Sequence, residues 1–147
     1  MFDQAVLAEW PALAKLAAAL IEPGVTDLVC NGHETTLVLR VGRWQPIEPV
    51  FDSAAELEGA SRALASKAGK RVDLSRPFNS FTLNSRLRVH LILASAVSTK
   101  TLLSIRVFGE RPFGLQQLVA LGQMSEVTRS RLIAQMNAGK SILISGA

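Results

Sequence analysis

The chain has 147 residues, 48% of them hydrophobic and 19% charged, which places it among folded domains and excludes a disordered tail. Its net charge of +4 is unevenly spread: three basic against nine acidic residues up to Ala60, then thirteen against three, so the second part should attract anions. No apolar run approaches the roughly 20 residues of a bilayer crossing, and the first residues carry Asp3 and Glu9 rather than a basic start, so a cytoplasmic protein without membrane insertion is expected.

Leu13, Leu16, Ala17, Leu20 and Ile21 form the stripe of an amphipathic helix over 12–21, which Pro23-Gly24 ends. Pro11 either opens that helix or separates it from a shorter one around Gln4 to Trp10. Val25 to Cys30 and Thr35 to Arg40 are β-rich and flank Asn31-Gly32-His33. Val41-Gly42-Arg43 then turns the chain into Trp44 to Val50, whose two prolines favour a sheet edge. An antiparallel meander is predicted. Cys30, the only cysteine, sits in an apolar run and reads as a small buried thiol; with His33 and His90 the only histidines, a Cys/His metal cluster is not expected.

Ser53 and Glu56 have the spacing of a capping box, in which each side chain serves the other's backbone N–H. The helix they start places Leu57, Ala60, Leu64 and Ala68 on one side and ends at Gly69. A second hairpin follows, with Phe78 to Leu83 and Arg86 to Leu93 around Asn84-Ser85, and then Thr101 to Phe108. In the middle segment Leu87, Val89, Leu91 and Leu93 alternate with Arg86, Arg88 and His90, so one face packs and the other carries positive charge. Tyrosine is absent and Phe78 and Phe81 are the only aromatics of this hairpin, which argues against a nucleic-acid reader.

Gly109 to Pro112 has the composition of a linker. Beyond it the pattern predicts a short helix at Leu115 to Leu121, a helix from Ser125 to Ala138 closed by Gly139, and an apolar strand from Ser141 running into Gly146-Ala147. Helix followed by buried strand is the opening of an α/β unit. A strand of this kind commonly feeds a G-x-x-x-x-G-K-[ST] loop whose backbone N–H groups cradle phosphates, with Gly146 as the first glycine and the lysine and hydroxyl beyond Ala147.

Five stretches in order resemble the ATPases of the type II/type IV secretion superfamily, and among them the CpaF-type ATPases of Tad (Flp) pili. Pro23 to Gly32 resembles the family's V-T-D-(apolar)-x-V-N-G, and Gly69 to Asp73 its G-R-R-(apolar)-D. Arg88-Val89-His90 is similar to R-(apolar)-N/H, Leu103 to Arg106 to L-S-I-R, and Ser141 to Ala147 to the strand before the phosphate loop. Across the hairpin the chain departs from D-A-R-L-x-D-G-x-R, having Ser80 to Arg88 without the acidic residue, the arginine and the turn glycine, although Arg88 keeps its place.

The resemblance implies an α+β fold: a helical segment at 1–21, a PAS-like antiparallel sheet with flanking helices at 22–108, a linker at 109–113, and the first helix and strand of a RecA-like α/β ATPase domain at 114–147. It implies the N-terminal part of a hexameric enzyme that uses ATP and Mg2+ to drive pilin assembly or substrate export, docked on inner-membrane platform proteins at the cytoplasmic face. This chain, without the loop lysine, should be inactive alone. By the same resemblance Arg88 and Arg106 contact nucleotide and Gly146 opens the phosphate loop; Arg111, just inside the linker, is a further candidate from its position alone. A guanidinium suits phosphate because it stays charged and offers a planar fork of donors.

Blander roles stand beside these. Arg106 suits a strand end, Arg111 a solvated loop, Asp27 and Asn31 turn-forming hydrogen bonds, and Lys70 and Arg71 a solvated patch or an inter-subunit contact. A free-standing PAS-like interaction or sensor module is the alternative function.

Overall fold

The computed structural model describes residues 11–83, 86–108 and 113–145. The chain divides into two compact units, Met1–Glu110 and Arg111–Ala147. The expected shorter helix at Gln4 to Trp10, the Asn84-Ser85 turn, Arg111 and Gly146 lie outside the described residues. Among the described residues no helix is long and apolar enough to cross a membrane.

The first unit is α+β, as its sequence pattern predicts. Pro11–Leu16 forms a 3-10 helix that continues as α1 (Ala17–Leu20). Then come β1 (Val25–Asn31), β2 (Thr36–Arg40), β3 (Arg43–Ile47), α2 (Ala54–Lys67), β4 (Phe78–Leu83), β5 (Leu87–Ile92) and β6 (Leu102–Val107). The strands make one sheet of order β3-β2-β1-β6-β5-β4, every pairing antiparallel. Pro46 sits on the edge strand β3, where its missing N–H costs no inner ladder bond.

One face of the sheet makes the core. Val38, Leu28, Ile105, Val89 and Phe81 are successive cross-strand partners from β2 to β4, and all five are buried. Leu13, Leu16 and Leu20 of the first helical segment and Leu57 and Leu64 of α2 join the same cluster. The first helix is 3-10 over the first half of the predicted span, yet its stripe holds, save that Ile21 is exposed. Cys30 is buried in the core, and desolvation raises its thiol pKa to about 11, partly opposed by the Thr36 hydroxyl.

Two local expectations need correction. Ser53 Oγ accepts from Glu56 N at 3.2 Å as a capping box requires, but Glu56 Oε2 accepts from the N–H of Asp52, at 2.8 Å, rather than that of Ser53. Lys15 bonds both Asp52 and Glu56 there, so the cap is also a tie between the 3-10 helix and α2. Asp27 is mid-strand in β1 and makes no turn.

The β2–β3 hairpin has a two-residue loop, Val41-Gly42, with φ of +48° and +74°. Positive φ at both positions matches the right-handed twist of the strands, but Val41 is β-branched and 81% exposed, so it carries the strain of a left-handed backbone without packing to offset it. Val41→Asn is therefore expected to raise the unfolding free energy by about 1 kcal/mol. Urea denaturation checks this, and an unchanged or lower value would contradict it.

The second unit contains α3 (Leu115–Ala120) and α4 (Glu126–Asn137), the latter capped by Ser125 Oγ, which accepts from Thr128 N at 3.1 Å, and followed by Gly139 at φ +66°. Neither helix contains a buried residue. The strand expected from Ser141 is not formed over 141–145, and Leu143 is 94% exposed. A strand exists only by pairing, and the described residues of this unit offer no second strand to pair with.

Candidate anion site on the outer face of the sheet

The alternation that buries Val89 and Ile105 turns their chain neighbours Arg88 and Arg106 to the opposite face, where both are exposed. Arg88 and Arg106 are directly paired across β5 and β6, and Arg106 is in turn paired with Asp27 on β1. The register thus lines up Asp27, Arg106 and Arg88 in one row. A second row beside it holds Ser104, His90 and Ser80. These six residues line a depression of about 210 Å³.

Asp27 reaches this face through a β-bulge. Val25 and Leu28 are both in the core, which strict alternation forbids, and the register of β1 against β2 shifts between Val25 and Asp27. The extra residue changes the parity, so Asp27 points away from the core it would otherwise enter. Its side chain is 10% exposed, and Oδ1 accepts a 2.7 Å bond from Arg106 Nε. A nearly buried carboxylate needs such a partner. Arg106 itself is 62% exposed, and its terminal nitrogens have no partner among the described residues. Arg88 has no hydrogen bond or ion pair among the described residues.

Two guanidinium groups directly opposite on neighbouring strands repel one another. Asp27 offsets one of the two charges, so the row keeps one uncompensated cation and several unused N–H donors. An anion placed over the row would relieve the repulsion and accept from both planar forks, the arrangement that suits a phosphate or sulphate.

A second basic hollow, of about 430 Å³, lies at the C-terminal end of α2 and is lined by Arg62, Ser66, Gly69, Lys70, Arg71 and Val72. Its guanidinium groups are already engaged: Arg62 bonds Glu58 and the carbonyl of Val72, and Arg71 bonds Asp73. Asp73 also accepts from Ser75 Oγ and from the backbone of Ser75 and Arg76, and these bonds, the hydroxyl first, hold its carboxyl well below the usual carboxylate range. The guanidinium groups here are thus committed to neighbours, which makes the hollow a poorer anion receptor than the sheet face.

Of the residues that sequence reasoning pointed to, the structure brings Arg88 and Arg106 together, and Asp27 joins them although it reads as a turn former from sequence. The signal for Asp27 was available: it is the single charge inside the strand-forming run Val25 to Cys30. Nothing local in sequence marks Ser80 or Ser104 as neighbours of the arginines.

No family model and no curated protein matches the chain. Among solved structures, the chain is similar to the VirB11 ATPase of the Brucella suis type IV secretion system, solved in complex with sulphate. The TM-score is 0.66 at 17% sequence identity, over 90% of this chain and 44% of that one. The chain therefore shares a fold with less than half the length of that ATPase.

Proposed function

We propose that this chain is the N-terminal part of a secretion or pilus-assembly ATPase, and that the outer face of its sheet covers the phosphates of a nucleotide held by a RecA-like domain that follows. The observation that carries the reading is the register that sets Arg88 directly opposite Arg106 on one face, with Asp27 offsetting only one of the two charges. The likeness to VirB11, a secretion ATPase solved with a tetrahedral oxyanion, supports it at the level of fold. The Tad-type resemblance of the sequence extends it to a CpaF-like enzyme working as a hexamer on an inner-membrane platform, with ATP and Mg2+ as its ligands.

In this mechanism the chain's own task is electrostatic. Domain closure brings the Arg88 fork and the free end of Arg106 to the terminal phosphate, where they offset charge that develops during phosphoryl transfer. Asp27 holds Arg106 by Nε and leaves its two terminal nitrogens turned to the ligand. Loss of the terminal phosphate removes the tie, which couples nucleotide state to the domain arrangement. From the sequence alone, Gly146 is assigned as the first glycine of the phosphate loop and Arg111 as a further candidate phosphate contact.

Extending the protein past Ala147 tests the reading. The added sequence should continue as G-K-[ST] within about six residues and the extended protein should hydrolyse ATP, whereas the 147-residue chain should not. A continuation lacking that motif would leave the sensor-module alternative.

A further inference from the structure

We infer that His90 is a third contact of the anion site and makes its grip on a tetrahedral oxyanion depend on protonation. This rests on the reading of the sheet face as an anion site. His90 is two residues from Arg88 on β5, on the same face, and lines the same depression as both arginines. Its Nδ1 is within hydrogen-bond distance of Ser80 Oγ, directly opposite on β4. That contact occupies one ring nitrogen and fixes the plane of the ring; Nε2 has no partner among the described residues.

The charges around the ring decide what protonation does. From β6 it faces Ser104 and, diagonally, Arg106; from β4, Ser80; along its own strand, Arg88. On its other side it borders a second hollow, of about 570 Å³, with Arg76, Asn79 and Phe78 in the wall. Among the described residues Asp27 is the only acid lining either hollow, and Arg106 already pairs with it. The free site thus offers a ring proton no carboxylate of its own, and a bound dianion supplies the missing partner. A protonated imidazole donates from both nitrogens, so Nδ1–H donates a hydrogen bond to Ser80 Oγ while Nε2–H and the new charge face the ligand. One uncompensated cation becomes two.

The test uses the 147-residue chain and sodium sulphate at constant ionic strength, followed through the backbone amide resonances of β5 and β6. Sulphate stays a dianion between about pH 5.5 and 8, so any change in affinity over the range in which imidazole titrates belongs to the protein. The dissociation constant should fall about fivefold from pH 8 to 5.5, as expected for one added charge close to a partly solvated dianion. His90→Gln, which keeps a polar group beside Ser80 on an exposed position, should flatten that dependence, and Arg88→Ala should weaken binding at both pH values. A His90→Gln profile as steep as the parent's would overturn the inference and leave the arginine site standing. Sulphate that shifts none of these amides at either pH would overturn the anion site itself.

Discussion

Ile105→Ala is expected to lower the unfolding free energy by about 2–5 kcal/mol, the range for truncating a buried aliphatic side chain that leaves a cavity. Ile105 is fully buried on β6, one of the two inner strands joining the halves of the sheet, between Leu28 on β1 and Val89 on β5. Both partners are fully buried, so neither can swing in to fill the space without leaving its own contacts. A domain of this size is stable by about 5–15 kcal/mol, so the urea midpoint should drop by a large fraction. Thr82→Ala, on the outer face in the row of Arg88, should change stability by no more than about 0.5 kcal/mol. A loss below about 1 kcal/mol for Ile105→Ala would mean that this face is not the core. The outcome bears on function, because a slip of one residue would exchange the apolar row for the arginine row.

On the proposed reading, in a protein extended past Ala147 through the RecA-like domain, Arg88→Ala is expected to lower kcat/KM for ATP by about 100-fold, the scale of removing one preorganised donor from a developing phosphate charge. Stability should move the other way or not at all, since Arg88 is exposed, faces Arg106 and has no partner among the described residues to lose. That opposition separates a ligand role from a structural one. Arg106→Ala should lose activity on the same scale but also stability, because it strands the nearly buried Asp27 carboxylate. Arg88→Lys keeps charge without the planar fork and should recover only part of the loss. Full turnover by Arg88→Ala would remove the arginine from the mechanism.

Much of the first unit was legible in the sequence because its strands alternate cleanly. Leu87, Val89 and Leu91 against Arg88 and His90 is a period of two that local sterics enforce, and the prolines of 44–50 mark an edge for a local reason. The assembly of the site was not legible, because it depends on strand order. Asp27 and Arg106 are 79 residues apart and meet only because β6 inserts between β1 and β5. The bulge that turns Asp27 outward is marked in the sequence only by a lone charge in the run Val25 to Cys30, which does not tell which strand lies beside it. The apolar run at 141–145 shows the converse: β propensity alone does not make a strand where no neighbour supplies a ladder.

The most direct test of the proposed phosphate lid is a crystal structure of the protein extended past Ala147, with a non-hydrolysable ATP analogue. The Arg88 guanidinium and the terminal nitrogens of Arg106 should lie about 3 Å from phosphate oxygens, with Asp27 still bonded to Arg106 Nε. A nucleotide bound with this face of the sheet turned away from it, and both arginines in solvent, would contradict the account.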